Sequence, residues 1–229
     1  MTKPRRNVFL VVADALRAEH MSHFGYTRAT TPHLDRRCAD RRHCQSQRLI
    51  AACAESYCGL MALARSKPVH GSSSHGLRLS DVLRMHGYRY GLILGGDHTQ
   101  FHGLADALGP ADFFWDGTHA RGYGNDDRAV LERVDELPRW DGRATFIQFH
   151  LMSTHALGKR HAFAYEPAAN YYRRIRIGPS DSELASYRNY YDSGVRQFDT
   201  VLAELLARLE AKGYLEDAVV VVTSTTSSK

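Results

Sequence analysis

The sequence has no long apolar run, no long run of one charge and no internal repeat. The apolar stretch near the N-terminus, residues 8–13, is too short for the core of a signal peptide or for a membrane span. The 30 Lys and Arg residues are interspersed with the 25 Asp and Glu residues, so nucleic acid is not an expected partner. We therefore expect a cytoplasmic protein without a membrane segment, whose net charge of +5 suits an anionic substrate.

Cysteine is scarce and confined to one segment. The four cysteines are Cys38, Cys44, Cys53 and Cys58. Their spacings match neither a zinc ribbon nor a zinc finger. Disulfides would need an oxidising compartment, for which the sequence carries no signal. The cysteines therefore do not indicate a zinc protein or a redox protein.

Short apolar runs that alternate with helical patterns are what the sequence has in quantity. Strands are predicted at residues 8–13, 88–94, 144–151 and 217–222. Helices are predicted at residues 32–41, 59–65, 80–85, 125–137 and 181–212. This alternation predicts an α/β fold with a mainly parallel sheet flanked by helices. Because no linker interrupts the pattern, we expect residues 1–229 to form a single domain.

The helix at 181–212 has the clearest signals. Ser180 and Glu183 have the spacing of a capping box, and apolar residues then recur at helical spacing. Asp192 and Asp199 are expected on its exposed face. The preceding segment, 156–179, has no periodicity, and a loop of that length is typically a lid or disordered.

Polar residues follow several predicted strands, at the edge of the sheet where α/β proteins bind ligands. Asp14 comes directly after the first strand, where a carboxylate needs a cation, a hydrogen bond or water. An equal alternative is a solvated Asp at a strand-to-helix turn, where it could cap the next helix. Asp97 and His98 follow the second strand and are favoured as turn residues. His155 follows the third strand, and His150 inside it is expected to be a core histidine.

Four stretches, taken in order, resemble motifs of the alkaline phosphatase/sulfatase superfamily. They are residues 7–20 with Asp14, residues 24–35 (similar to "GY…TTPNLD"), residues 146–155, and residues 181–224 leading to a "TSDHGE" motif. The resemblance implies an alkaline-phosphatase-like three-layer sandwich. It also implies that Asp14 binds a divalent metal, which could be zinc, manganese, calcium or magnesium. His155 and Arg17 are expected to bind an anionic ester substrate, with Arg17 alternatively orienting Asp14 or facing solvent.

The resemblance further implies a nucleophile between residues 53 and 59. Such a group works best at a helix N-terminus, where backbone N–H groups and the helix dipole favour an anion. A bound dication would also acidify a hydroxyl there. Ser56 is the expected nucleophile and a second metal ligand, with Cys53 and Cys58 as alternative nucleophiles. A simple N-cap is the structural alternative for Ser56.

Two departures from the family pattern affect the expected chemistry. Ser56 is followed by Tyr-Cys-Gly-Leu, without the Pro and Arg through which sulfatases convert this residue to formylglycine. An unmodified Ser favours phosphate esters over sulfate esters. Where the family has Asp-His-Gly after Ser224, this chain has Thr225 and Thr226 and ends at Lys229. We expect a metal-dependent hydrolase or transferase, or else a truncated or catalytically inactive domain that is incomplete at its C-terminus and lacks a complete metal site.

Overall fold

In a computed structural model of the chain, five strands form one parallel sheet in the order β3-β2-β4-β1-β5. The structure describes residues 5–39, 44–47, 50–73, 76–100, 103–119, 124–173 and 178–226. The strands are β1 (Val8–Ala13), β2 (Arg89–Leu94), β3 (Phe113–Trp115), β4 (Thr145–Leu151) and β5 (Val219–Ser224). The main helices are α1 (Pro32–Arg37), α2 (Ser56–Arg65), α3 (Leu79–Met85), α4 (Leu104–Leu108), α5 (Asp127–Asp135) and α6 (Asp181–Ala211). The predicted α/β fold is confirmed.

Helices cover both faces of the sheet because its inner strands are apolar on both sides. On one face, Phe9 and Phe149 pack in a cluster with Phe198 of α6 and Val130 of α5. On the other face, Val12 belongs to a second cluster that includes side chains of α2 and α4. Each fully buried Phe or Leu contributes about 1.5–3 kcal/mol. The result is the three-layer sandwich that the resemblance implied.

The ends of α6 follow its sequence signals. Ser180 Oγ accepts a hydrogen bond from the N–H of Glu183 at 3.3 Å, and the N–H of Ser180 donates to Glu183 Oε2 at 2.9 Å. This is the predicted capping box. The helix ends at Ala211, one residue before the predicted end, and Gly213 follows with a φ of 84°. Only a residue that tolerates a positive φ fits this position easily.

Several predicted boundaries are wrong for identifiable reasons. Strand β5 begins at Val219 because Asp217 adopts a φ of 51°, which no strand residue has. Between the predicted strand at 88–94 and the predicted helix at 125–137, the structure has the short elements α4 and β3, which are too brief to show periodicity. The first helix ends at Arg37 instead of residue 41, and residues 40–43 lie outside the described part of the chain.

Asp192 and Asp199 are buried, so the prediction that they lie on the exposed face of α6 is wrong. Asp199 accepts hydrogen bonds from the first N–H groups of α1, those of His33 at 2.8 Å and Leu34 at 2.9 Å. Asp199 therefore caps α1, because Thr31, the residue at the N-cap position of α1, makes no side-chain capping hydrogen bond. These contacts join residues about 165 positions apart, and helical spacing alone does not reveal them.

Asp192 anchors the loop after β1 to α6. Its Oδ1 lies 2.6 Å from His20 Nδ1, and its Oδ2 accepts hydrogen bonds from Tyr26 and Arg28, both at 2.8 Å. The side chain of Asp192 is fully buried. A single carboxylate thus satisfies three polar groups from one loop.

Replacing Asp192 with Ala is expected to lower the free energy of unfolding by roughly 3 kcal/mol, because Arg28 would lose its buried counter-charge. Urea denaturation measures this change. The matched control is Glu210→Gln, an exposed position on the same helix, where we expect a change within about 0.5 kcal/mol. Equal effects of the two substitutions would contradict the anchoring role.

All four cysteines form disulfides, which the sequence did not predict. Cys38 is bonded to Cys44 with the Cα atoms 5.2 Å apart, and Cys53 to Cys58 with the Cα atoms 6.2 Å apart. Disulfides persist in oxidising compartments, and the cytoplasmic location expected from the sequence is not confirmed. Among the described helices, none has the length and apolar character that crossing a bilayer requires.

Candidate active site

A tight turn after β1 fixes the direction of the Asp14 side chain. The N–H of Asp14 donates to Leu151 O at 2.9 Å, which extends the β1–β4 pairing by one residue. Ala15 then adopts a left-handed conformation with a φ of 61°, at a cost of roughly 1–2 kcal/mol for a non-glycine residue. The Tyr191 hydroxyl on α6 donates to Ala15 O at 2.7 Å and accepts from the N–H of Arg17 at 2.9 Å. Helix α6 therefore holds the turn in place.

Both oxygens of the buried Asp14 carboxylate are in polar contact. Oδ1 accepts hydrogen bonds from Ser56 Oγ at 2.5 Å and from Thr225 Oγ1 at 2.8 Å. Oδ2 faces two imidazoles, with His150 Nε2 at 3.3 Å and His98 Nε2 at 3.6 Å. These five residues form what we call the Asp14 cluster. It lies at the carboxyl edge of the sheet, where the ends of β2, β4, β1 and β5 meet.

Ser56 is the first residue of α2, and Glu55 occupies the N-cap position. The interpretation of Ser56 as an N-cap is therefore wrong. Its hydroxyl donates to Asp14 and lies 3.3 Å from the hydroxyl of Thr225. A hydroxyl at the start of a ten-residue helix is close to the free N–H groups of the first turn, which favour a bound anion.

Gly59 allows α2 to approach the segment after β5. A Cβ at this position would lie 1.9 Å from the carbonyl oxygen of Thr225, far inside any tolerated contact. Because Gly59 lies three residues after Ser56, the close approach also brings the Ser56 hydroxyl to Asp14. The absence of a side chain at position 59 is thus part of the geometry of the cluster.

Two histidines for which the sequence predicts other roles also belong to the cluster. His150 was expected to be a core residue and His98 a turn residue, yet both rings face Asp14, with their centroids 3.7 Å apart. The signal that could have found them is strand order. β2 and β4 are adjacent, and β4 is adjacent to β1, so residues that end these strands meet. Strand order was not available from the sequence alone.

Protonation in the cluster follows from burial and contacts. Burial opposes ionisation of Asp14, but the hydrogen bond with His150 and the neighbouring ring of His98 outweigh it and hold the pKa of Asp14 well below its usual value. Burial, with a smaller effect of His98, lowers the pKa of His150 to about 4. At neutral pH, an ionised carboxylate therefore faces a neutral His150. These are the forms of the two side chains that bind metal ions.

The donor atoms fit a metal ion. Asp14, His98 and His150 offer one oxygen and two nitrogens that all lie within 4.8 Å of one another. His98 Nδ1 is buried and has no hydrogen-bond partner among the described residues, whereas its Nε2 faces Asp14 Oδ2 at 3.6 Å. One carboxylate and two imidazoles suit zinc, whereas calcium and magnesium prefer oxygen ligands alone.

The remaining predicted site residues lie outside the cluster. His155 is half-buried, and burial lowers its pKa, although the charge of Asp14 acts in the opposite direction. Its Nδ1 accepts from the N–H of Leu157 at 3.2 Å. The guanidinium of Arg17 pairs with Glu19 at 2.5 Å and is 44% exposed. The structure therefore places His155 near Asp14 without direct contact and turns Arg17 toward solvent.

The alternative nucleophiles Cys53 and Cys58 carry no free thiol, because they are bonded to each other. The disulfide encloses Ser56 between its two ends in the sequence. Of the three proposed nucleophiles, only Ser56 presents its reactive atom to Asp14.

Solved structures with the same fold include proteins that are named as a phosphoethanolamine transferase and a phosphonate monoester hydrolase. The chain is similar to the C-terminal periplasmic domain of EptC from Escherichia coli in complex with Zn, with a TM-score of 0.74 and 20% identity over 98% of this chain and 64% of that one. The soluble domain of lipooligosaccharide phosphoethanolamine transferase A from Neisseria meningitidis has a TM-score of 0.70 and 21% identity. That match covers 98% of this chain and 68% of that one. Phosphonate monoester hydrolase of Agrobacterium radiobacter has a TM-score of 0.70 and 15% identity. That match covers 96% of this chain and 62% of that one.

These identities establish a common fold, and the chain spans about two thirds of the length of each of these structures. A comparison with curated proteins finds no match. The sequence itself matches the family described as Sulfatase over residues 6–224, which is nearly the whole chain. The match confirms the superfamily that the four motif stretches indicated, and the chain belongs to the Sulfatase family.

Proposed function

We propose that the chain carries the reactive centre of a metal-dependent phosphoester hydrolase or phosphotransferase, with Ser56 as its nucleophile. The observation that carries the proposal is the 2.5 Å hydrogen bond from Ser56 Oγ to Asp14 at the first residue of α2. Relatives with this fold that are named as phosphoethanolamine transferases or a phosphonate monoester hydrolase support the reaction class.

In the proposed reaction, Ser56 Oγ attacks the phosphorus of an anionic ester. The new Oγ–P bond forms as the bond from phosphorus to the leaving alcohol oxygen breaks, and that oxygen leaves with a proton. A water molecule or an acceptor alcohol then attacks the phosphoserine and restores the Ser56 hydroxyl. The first N–H groups of α2 would stabilise the negative charge on the phosphoryl oxygens.

Asp14 is a weak base in this scheme, because its pKa is held well below the usual value. It orients the Ser56 hydroxyl, but it does not retain the proton. Asp14, His98 and His150 would hold the metal ion. When bound, such an ion acidifies the hydroxyl and offsets the charge of the phosphoryl group.

His155 is proposed to bind an oxygen of the substrate. It lies beyond β4, close enough to Asp14 for their charges to influence each other's pKa. One ring nitrogen could donate to an anionic oxygen while the other accepts from Leu157. Arg17 is a weaker candidate for this role, because Glu19 already pairs with its guanidinium.

The test is a metal-dependent assay of the purified protein. We expect hydrolysis of p-nitrophenyl phosphate that requires added zinc or manganese, with less turnover of p-nitrophenyl sulfate. Asp14→Asn is expected to remove both the turnover and the rise in melting temperature on adding zinc, because it removes the cluster's charged ligand. In the parent protein, zinc at a free concentration of about 100 times its Kd would stabilise the fold by about 2.7 kcal/mol. Asp106→Asn, an exposed position, is the matched control and should change neither.

A second candidate function is a non-catalytic domain that binds an anion at the same place. One observation favours it: Thr225 presents a neutral hydroxyl to Asp14, where the family resemblance implies a further carboxylate ligand. Zinc binding without turnover of either ester would favour this function. Absence of zinc binding, measured by calorimetry, would exclude the catalytic proposal for this chain.

A further inference from the structure

A groove of about 430 Å³ lies between α5 and α6, beneath the loop at residues 161–164. None of its lining residues belongs to the Asp14 cluster. Leu131 of α5, Val201 of α6 and Phe163 of the loop supply an apolar lining. Phe163 remains 43% exposed above the groove. The volume lies within the range of pockets that bind small molecules, roughly 300–1,000 Å³.

Among the described residues, two of the arginines that line this groove have a guanidinium that donates no hydrogen bond to a carboxylate. Within the described residues, the Arg128 side chain on α5 makes no hydrogen bond or ion pair. Arg196 on α6 has a buried Nη1 without a hydrogen-bond acceptor. Its nearest carboxylate, Asp199, is 4.0 Å away and already accepts hydrogen bonds from the N-terminus of α1. Among the described residues, Arg128 therefore has no carboxylate partner, and Arg196 has only the 4.0 Å ion pair with Asp199, in which its Nη1 makes no hydrogen bond.

The other charges of the groove are mostly neutralised. Arg208 pairs with Glu204 at 3.0 Å, and His161 lies 2.7 Å from Asp126. Glu132 on the rim is the one lining carboxylate without an ion pair in the part of the chain that the structure covers. Among the described residues of the groove, Arg128 and Glu132 are thus without an ion pair, and Arg196 is paired only at 4.0 Å, next to an apolar surface.

We propose that this groove binds an anionic amphiphile, with a carboxylate-like head between Arg128 and Arg196 and an apolar tail along Leu131, Val201 and Phe163. The head would supply the acceptor that Arg196 Nη1 lacks. Charge-assisted hydrogen bonds to a carboxylate are stronger than neutral ones. Burial of the apolar tail adds a hydrophobic contribution to the affinity. This site does not depend on the proposed enzymatic function.

The probe is decanoate, titrated below its micelle concentration into the full chain by isothermal calorimetry. Octyl glucoside and decyltrimethylammonium test a neutral and a cationic head, and acetate tests the head alone. We expect decanoate to bind about tenfold more tightly than either amphiphile with another head, and acetate not to bind measurably. Equal binding of decyltrimethylammonium or octyl glucoside would overturn the proposal.

Variants test the assigned contacts. Arg196→Gln should weaken decanoate binding about tenfold, the loss expected for one charge-assisted hydrogen bond, and Glu132→Gln should tighten it a few-fold. The control Arg139→Gln removes an exposed arginine outside the groove and should leave binding unchanged. Ala162→Trp, which fills the groove without changing charge, should abolish binding while the melting temperature is retained. Unchanged binding in Arg196→Gln and Ala162→Trp would overturn the proposal.

Discussion

Ser56→Ala is expected to reduce turnover of p-nitrophenyl phosphate by roughly 10³-fold or more, because it removes the atom that forms the bond to phosphorus. Zinc-dependent stabilisation should persist, since the Asp14, His98 and His150 donors remain. The variant should also fail to accumulate a phosphorylated form in intact-protein mass spectrometry after rapid acid quench. The combination separates loss of the nucleophile from loss of the metal site.

The control for Ser56→Ala is Ser182→Ala, an exposed position at the start of α6, which should keep full activity. Ser56→Thr retains a hydroxyl and is expected to recover part of the rate. If Ser56→Ala retained the full rate and a phosphorylated form, another residue would be the nucleophile. Tryptic mapping of that phosphate would then identify it.

The fold could be predicted because its signals are local and repeated. The buried strands of the sheet are short apolar runs, and α6 has both a capping box and a continuous apolar stripe. What escaped prediction was short or non-local. Strand β3 has three residues and α4 has five, so neither completes a recognisable period.

The candidate site was predictable only in part. Asp14 and Ser56 were identified from a strand end and a family resemblance, and the structure brings them into contact. His98 and His150 were assigned other roles, because their proximity to Asp14 depends on β4 lying between β1 and β2. Such an order is a tertiary property that no local pattern encodes. Asp192 and Asp199 escaped for a similar reason, since helical spacing does not show which polar residues face another buried polar group.

Thr225 stands where the family pattern has an Asp, and its hydroxyl takes part in the geometry of the site. Its hydroxyl donates to Asp14 Oδ1 and accepts from the N–H of Ala15 at 3.3 Å. It therefore fixes the carboxylate and the strained turn together, without adding charge. The two histidines offer donor atoms on the other side of Asp14. A metal site in this chain would thus depend on imidazoles more than on carboxylates, which is consistent with zinc.

Gly59→Ala is expected to destabilise the protein by roughly 2–3 kcal/mol, although helix propensity alone favours Ala in a helix interior by about 0.5–1 kcal/mol. The sign reverses because the added Cβ would lie 1.9 Å from the backbone oxygen of Thr225. Backbone cannot rotate away as a flexible side chain can, so α2 and the end of β5 must separate, at the cost of an overpacked core. Urea denaturation measures the loss.

The same substitution should also lower turnover by at least about tenfold, because moving α2 carries Ser56 away from Asp14 and Thr225, and misplacement by about 1 Å is costly to catalysis. The matched control is Gly71→Ala, where a Cβ would meet no atom within 4 Å; stability and turnover should stay close to the parent values. A more stable Gly59→Ala protein with full activity would mean that helix propensity dominates, and that the contact between α2 and Thr225 does not position the nucleophile. A destabilised variant with full activity would separate the two roles, leaving Gly59 as a packing residue alone.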